Sequence, residues 1–409
     1  MNKNTLSFRG SDHPWKVLII GAGIGGLSAG TALSKKGYDV EIIEKDPEWT
    51  VYGVGIIQQN NVIRAMYELG VIDDYIDAGY GFDHVKIFAP NGMEVAKIPL
   101  PPLVEGYPAN VGIARPALQR VLAESTKKSG ADIRLGLTAE TINDSVDFVE
   151  VTFSDGSQGK YDLVIGADGI YSQTRQAIFP EAPGPEFTGQ SVWRYNFDRP
   201  KDMEGLHVYN GRVGVGLVPM SQEQIYMYVT TPEPENPHFE KSTLVDEMKA
   251  RLNMACPTLH HFADEITDHQ GVVYRPLEWL MLEGDWHSGR IGLLGDAVHS
   301  TTPHLGQGAG LAIEDALVLA DELTKASSPE EVKELTKLIF EQEVNVQALT
   351  ASVKQLNKIL KDYDKKFSNL PQATLELARL ERNKLALEKL YLVLEEKYQE
   401  ALINLGYVR

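Results

Sequence analysis

KVLIIGAGIGGLSAGTALSKKGYDVEIIE, residues 16–44, decides the fold. Its opening run, Val17–Ile20, is apolar without alternation, the pattern of a strand covered on both faces. Gly21-Ala22-Gly23-Ile24-Gly25-Gly26 follows and leads into a helical stretch reaching about Lys36, where Gly37 supplies the stop. Asp39–Ile43 is a second buried strand with Glu44 at its end. Together they make one βαβ unit carrying Gly21-x-Gly23-x-x-Gly26. Gly21 permits the tight turn, Gly23 lets the backbone approach a pyrophosphate, and Gly26 lets the helix pack close to the strand. The free N–H groups and positive dipole end of the helix suit that anion. Glu44, 23 positions after Gly21, is placed to accept hydrogen bonds from an adenosine ribose. The fingerprint predicts dinucleotide binding and does not by itself separate NAD from FAD.

Outward from this unit, Asp83–Ala89 and Met93–Ile98 flank Asn91-Gly92, a hairpin signal. Arg115–Lys128 reads as a helix opened by Pro116. Val149–Phe153 and Lys160–Ile165 read as a second hairpin turned at Asp155-Gly156. Between about Pro180 and Pro276 the texture changes to alternating segments: Ser191–Phe197, Leu206–Tyr209, Val213–Val218 and Ile225–Thr230. That period predicts a sheet with one face buried. Arg290–Leu294 restores the buried-strand pattern. From Leu335 onward, apolar residues recur at spacings of three and four, broken at Ser368-Asn369-Leu370-Pro371, and a second run continues to Leu405. Two long helices with a tight break predict an αα-hairpin.

Composition narrows the class. The chain has 409 residues, a net charge of −18 and one cysteine, Cys256. That charge repels nucleic acid and anionic membrane. One cysteine permits no intrachain disulfide and no redox-active pair, and favours a cytoplasmic home. No apolar stretch is long enough to span a bilayer, and residues 1–16 lack an apolar signal core. No metal site is expected.

Two further motifs extend the reading. Asp162-Leu-Val-Ile-Gly166-Ala-Asp168-Gly169-Ile-Tyr-Ser172-Gln-Thr-Arg175 is one, and Gly295-Asp296-Ala297-Val298-His299, followed by Pro303 and Gly306-Gln307-Gly308, is the other. Each is a strand ending in Gly and Asp and turning into a helix. An Asp there can accept hydrogen bonds from sugar or ribityl hydroxyls, or can simply form the turn. The helix beginning near Gly308 aims its positive end at whatever lies beyond it.

In this order and spacing, the three motifs resemble the class A flavoprotein aromatic monooxygenases typified by p-hydroxybenzoate hydroxylase and salicylate hydroxylase. The resemblance covers about residues 15–325, and His299–Leu323 is most similar to the salicylate- and urate-hydroxylase branch. It implies an α/β fold: a Rossmann-like FAD-binding domain, an interleaved β-sheet substrate domain, and long C-terminal helices. The expected boundaries assign 1–80, 101–180 and 277–325 to FAD binding, 81–100 and 181–276 to the substrate domain, and 326–409 to a helical hairpin. Gly21, Gly23, Gly26 and Glu44, with Lys45 beside it, would hold the adenosine half of FAD. Arg115 would meet the phosphates, unless it is a surface ion-pair partner. Asp168 and Gly169 would lie near the pyrophosphate, and Asp296 on the ribityl chain. Pro303 would stand at the isoalloxazine edge, with Gly306 and Gly308 near the flavin N1–O2 locus. The implied reaction uses NAD(P)H as co-substrate to reduce FAD. O₂ then adds to give a flavin C4a-hydroperoxide that hydroxylates a small aromatic or heteroaromatic molecule.

Side-chain candidates come from the alternating segment and the last motif. Trp193, Tyr195 and Phe197 share one strand face, and Arg194 and Asn196 the other; Tyr226 and Tyr228 share a face. The aromatics suit either a wall for a flat substrate or an ordinary core. Arg194 suits either an anionic substrate or the surface. His304 is a candidate proton acceptor at the flavin edge, and His299 a structural hydrogen-bonder. Two features depart from the family pattern. Residues around Glu341 lack the expected arginine-rich run, and the 372–405 helix extends past the usual end, packing on its own protomer or forming a homodimer seam. The competing readings are a related epoxidase or oxidase acting on a non-aromatic substrate, and a non-catalytic flavin-binding scaffold. A flavin disulfide reductase is excluded by the single cysteine, and a flavin halogenase by the absence of a Trp-x-Trp pair.

Overall fold

The computed structural model describes residues 14–325 apart from Val146. The expected αα-hairpin and any dimer seam on it lie outside the described residues. The core is a six-stranded sheet in the order His287–Ser288, Ile291–Leu293, Leu163–Gly166, Lys16–Ile20, Asp39–Glu44, Asp132–Leu135. All its pairings are parallel except that of the short edge strand His287–Ser288. Val17, Leu18 and Ile19 are fully buried because both faces are covered. Helices Ile24–Lys35, Asn60–Leu69, Arg115–Lys128 and Gly308–Lys325 share one core. A three-stranded antiparallel sheet, Ala139–Asp144, Val149–Phe153 and Gln158–Tyr161, covers the other face.

One expectation needs correction. The second hairpin does not run on as a single strand through Ile165. It ends at Tyr161, and Leu163–Gly166 joins the parallel sheet instead. Asp162 makes the break: its carboxylate accepts from the Lys16 N–H at 2.8 Å, and its own N–H donates to Lys16 O at 2.8 Å.

The alternating segment builds a seven-stranded sheet ordered Val273–Trp279, Glu186–Asp198, Gln224–Pro232, Gly214–Pro219, Leu206–Tyr209, His84–Phe88, Glu94–Pro99. The hairpin at Asn91-Gly92 supplies its last two strands, so this sheet is assembled from chain segments on either side of segments belonging to the other sheets. One face packs on helix Leu244–Leu252 and its neighbours. The other faces the strands Gly55–Gln58 and Asn110–Ala114. A Cβ added to Gly112 would fall 2.0 Å from Pro219 O, and one added to Gly55 would fall 2.1 Å from the Tyr226 ring. No helix among the described residues is long and apolar enough to cross a membrane.

His207 lies on the Leu206–Tyr209 strand against Phe88, with ring centroids 5.2 Å apart and its Nε2 buried without a hydrogen bond. Burial, then the charge of Lys86, pushes its pKa from 6.5 down to about 4. Between those values the unfolded chain holds a proton that the folded chain does not. Stability is therefore full above about 6.5 and falls as the pH drops towards 4. The loss attributable to this ring should be about 1–3 kcal/mol. His207→Leu should flatten that limb of the pH–stability curve measured by urea unfolding; an unchanged slope would assign it to other groups.

Candidate active site

The glycine loop is shaped by two close approaches and one opening. Gly21 has φ +107°, and its N–H donates to Ile43 O at 2.8 Å. A Cβ on Gly26 would sit 1.9 Å from Gly21 O, so the helix can turn this tightly against the strand only with glycine there. Gly23 is different: its backbone is extended (φ −79°, ψ −172°), and a Cβ there would meet nothing within 4 Å. The helix that begins after it has no side-chain cap and no acid in its first turn. Its leading N–H groups are left for a ligand. Glu44 accepts from the Ala22 N–H and the Asp46 N–H, each at 3.0 Å. A carboxylate has about four acceptor sites, so Glu44 fixes the loop and keeps capacity for hydroxyl donors. Lys45 is exposed and makes no ion pair among the described residues.

The Asp168-Gly169 turn abuts this loop: a Cβ on Gly21 would lie 3.1 Å from the Asp168 Cα. Asp168 itself is well occupied. It accepts from Ser172 Oγ at 2.5 Å and from both the N–H and Oγ1 of Thr174 at 3.0 Å. Ser172 caps helix Gln173–Ile178 by accepting from the Arg175 N–H at 2.8 Å. Arg175, 1% exposed, ties this turn to the last motif through Ala297 O at 2.8 Å. The carboxylate therefore organises the turn. The open neighbour is Gly169, at φ +82° with nothing within 4 Å of a Cβ.

At the last motif, Asp296 is exposed and hydrogen-bonded to Ser300, and a Cβ on Gly308 would lie 3.9 Å from its Oδ1. Desolvation by the surrounding protein holds its carboxyl above the usual range, against the lowering influence of His299 and Arg115. Beneath it, Asp315 accepts from the Gly295 N–H at 3.0 Å and pairs with His299 Nε2 at 2.7 Å. His299 is thus the structural bonder expected. The Gly306–Gly308 segment is pinned by amides: Gln307 Nε2 donates to Gln59 Oε1 at 2.6 Å, and Asn61 Nδ2 to Gln307 Oε1 at 3.0 Å. Asn61 and Arg64 also hold Glu314, at 3.0 and 2.7 Å. Sequence reasoning missed Gln59, Asn61, Glu314 and Asp315. The signal available for Glu314 and Asp315 was two adjacent acids within the apolar run of residues 308–320. Pro303 and His304 form one exposed turn, where His304 Nδ1 meets Thr302 Oγ1 at 3.0 Å and desolvation lowers the imidazole pKa.

The seven-stranded sheet brings its own residues to this cleft. Trp193 and Phe197 do not wall it. They point to the opposite face and are buried in the core against helix Leu244–Leu252, with Tyr195 packed on them. Their large apolar area goes where the sheet has a helical partner. Arg194, Asn196, Tyr226 and Tyr228 take the cleft face. Asn196 Nδ2 donates to Gly53 O at 2.8 Å. The Tyr226 hydroxyl accepts from the Ile57 N–H, and burial raises its pKa. Burial, then the neighbouring charge of Arg115, lowers Arg194 to about 10. Burial also lowers Arg115, opposed by Tyr226 and Asp296. Neither guanidinium has a hydrogen-bonded carboxylate among the described residues. Arg115 thus lies by Tyr226 and Asp296, at the junction of the cofactor loops and the sheet.

These features fit an elongated ligand carrying phosphates and a polyol. An open glycine stands at an uncapped helix end, an exposed carboxylate at the far motif, and two guanidiniums without a hydrogen-bonded carboxylate among the described residues between the motif and the sheet. Among the described residues no cluster of His, Cys, Asp and Glu could hold a metal ion.

Comparison with known proteins agrees with that shape. A family model described as an FAD binding domain matches residues 15–337. The chain is 31% identical over 317 residues to 2-heptyl-3-hydroxy-4(1H)-quinolone synthase of Pseudomonas aeruginosa, covering 74% of this chain and 79% of that protein. It is 30% identical over 320 residues to FAD-dependent urate hydroxylase of Klebsiella oxytoca, covering 75% and 80%. The crystal structure of Klebsiella pneumoniae HpxO complexed with FAD and uric acid matches with a TM-score of 0.70 at 27% identity, over 78% of this chain and 83% of that one.

Proposed function

Since the chain belongs to the family of FAD-binding, aromatic-hydroxylase-like monooxygenases, we propose that it uses NAD(P)H and O₂ to hydroxylate a small, electron-rich heteroaromatic ring. The observation carrying this reading is the Arg194 guanidinium, which has no carboxylate among its neighbouring charges and lies with Arg115 beside Tyr226 on the sheet face turned towards the cofactor loops. A half-buried cation such as Arg194, with no carboxylate beside it, favours an anionic ligand. Here that ligand is a ring held as its phenolate or enolate, the form richest in electrons.

When bound, FAD supplies the two-electron chemistry that links the nicotinamide to O₂. Gly23 and Gly169 would hold its pyrophosphate, Glu44 its ribose and Asp296 its ribityl chain, with Pro303, Gly306 and Gly308 towards its ring end. Arg194 binds and orients the substrate oxygen. Tyr226, protonated at neutral pH, is a hydrogen-bond donor into the cleft. His304, neutral at the same pH, has one ring nitrogen on Thr302 and the other free to take a proton from the ring. Tyr228 and the strands over the sheet keep water away. The same reading assigns residues 1–80, 101–180 and 277–325 to cofactor binding and 81–100 and 181–276 to the substrate. It also includes a cytoplasmic location, suggested by the single cysteine, and a homodimer through 372–405, read from sequence alone.

Hydroxylated pyridines, quinolines and purines, tested with NADH and with NADPH under ¹⁸O₂, should include a ring that accelerates nicotinamide oxidation and gains one labelled oxygen. Arg194→Met should stay yellow and lose about 100-fold in kcat/KM for that ring. Hydrogen peroxide as the only oxygen product across the panel would turn the assignment to an oxidase. Asp296→Ala should weaken FAD binding about 5- to 150-fold by removing one charged acceptor; unchanged affinity would remove Asp296 from the cofactor's partners.

A further inference from the structure

Resting on that reading, we propose that the substrate is an aromatic head carrying a long apolar tail, which lies across the seven-stranded sheet away from Arg194. Strand register places one row of cleft-face residues across six strands: Arg194, Tyr228, Gly216, Val208, Ile87 and Ala96. Alternation puts them on a single face. The row is graded. It starts at a guanidinium, passes a tyrosine, and is uncharged and apolar from there to the edge strand. A parallel row beside it begins at Asn196 and Tyr226 and ends at Val85 and Ile98.

At about 4.8 Å between strands, the row runs about 19 Å from Arg194 to Ile87. A ring held at Arg194 would leave much of that floor uncovered. Two details suit the floor to a chain. Gly216 has no side chain, and Tyr228 lies across it: a Cβ there would meet the Tyr228 ring at 2.1 Å. The tyrosine therefore lies low instead of standing as a wall. Further on, Tyr228, Val208 and Val85 are half-buried and pack with Leu100, and with Ile57, Tyr80 and Ala114 of the neighbouring strands, around a buried cluster that includes Phe82, Leu206 and Val218. At the sheet edge Ile98 is 44% exposed, so the apolar floor reaches the surface. The parallel row is roofed where Gly55 and Gly112 press on Tyr226 and Val218. In our reading the tail takes the Gly216–Val208–Ile87 row, where Val208 and Ile87 are only half-buried.

The test uses FAD-loaded enzyme without nicotinamide, and reads binding from the flavin absorbance shift. The probes are 4-hydroxypyridine and its 2-methyl, 2-butyl and 2-octyl homologues. Kd should fall about four-fold per methylene, the equivalent of about 0.8 kcal/mol, until the floor is filled. Val208→Trp should abolish this dependence on chain length, with retained FAD showing that the variant has folded; Ile87→Trp serves if it has not. A Kd that is flat across the homologues, or a slope untouched by either folded variant, overturns the tail. Parallel turnovers of the same homologues with NAD(P)H and ¹⁸O₂ report the product: graded binding without oxygenated product from any homologue supports the tail and counts against the hydroxylase assignment alone. A flat Kd with oxygenated 4-hydroxypyridine does the reverse.

Discussion

A Gly23→Val chain is expected to fold normally yet purify colourless, whereas Gly26→Ala is expected to lose much of its stability. The two positions lie three residues apart in one fingerprint and differ in what a side chain meets. Gly23 already has the extended backbone that valine prefers, and its Cβ would enter open space. Replacing an N-cap glycine with a β-branched residue costs only about 1 kcal/mol. The new methyl groups would stand where a pyrophosphate must approach the backbone. FAD affinity should therefore fall at least about 100-fold, or about 2.7 kcal/mol. At Gly26 the added atom would lie 1.9 Å from the Gly21 carbonyl oxygen, which belongs to backbone that cannot rotate aside. The strand–helix turn would have to open, and a loss of about 3 kcal/mol or more is expected. Urea midpoints and FAD titration separate the effects. A yellow Gly23→Val protein with unchanged affinity would mean that the pyrophosphate lies elsewhere.

The second large effect is expected far from the cofactor. Arg251→Met should cost about 3–5 kcal/mol, because it leaves the nearly buried Glu233 without its cation. Arg251 Nε donates to Glu233 Oε1 at 2.8 Å, its NH1 reaches Glu247, and its guanidinium lies 5.1 Å from the Trp193 ring centre and 4.9 Å from that of Phe239. Glu233 also accepts from Thr231 Oγ1 at 3.0 Å, and Thr231 accepts from Trp193 Nε1 at 3.3 Å. One side chain thus anchors helix Leu244–Leu252 to the back of the strand whose front carries Arg194. Arg251→Lys should recover part of the loss, since it restores the charge but not the fork. A shift below about 1 kcal/mol in the urea midpoint analysis would mean that the group is effectively solvated.

The parts legible in the sequence were those where local chemistry allows little choice. Gly21, Gly23 and Gly26 each answer a steric demand within one turn, and Asn91-Gly92 marks its hairpin unaided. Alternation along Ser191–Phe197 separated Trp193, Tyr195 and Phe197 from Arg194 and Asn196. It could not say which set faces the cleft, because that depends on where helix Leu244–Leu252 packs. The break at Asp162 was hidden by apolar residues on both sides; its cause is a pair of bonds to Lys16, 146 residues away. The amide bridge from Gln307 to Gln59 spans 248 residues, beyond the reach of any local pattern.

The way the seven-stranded sheet is assembled bears on how the chain can be made. His84–Phe88 has no parallel partner until Leu206–Tyr209 has been synthesised, and Leu163–Gly166 waits for Ile291–Leu293. Both pairings are non-local, so closure should be slow and should come late relative to translation. A chain emerging from the ribosome therefore holds unpaired strand edges for many seconds before either sheet can be completed. Stop codons anywhere before Ile291–Leu293 should yield insoluble fragments instead of a working cofactor half. Recombination among relatives should succeed only when the segments before and after the helix Arg115–Lys128 are exchanged together.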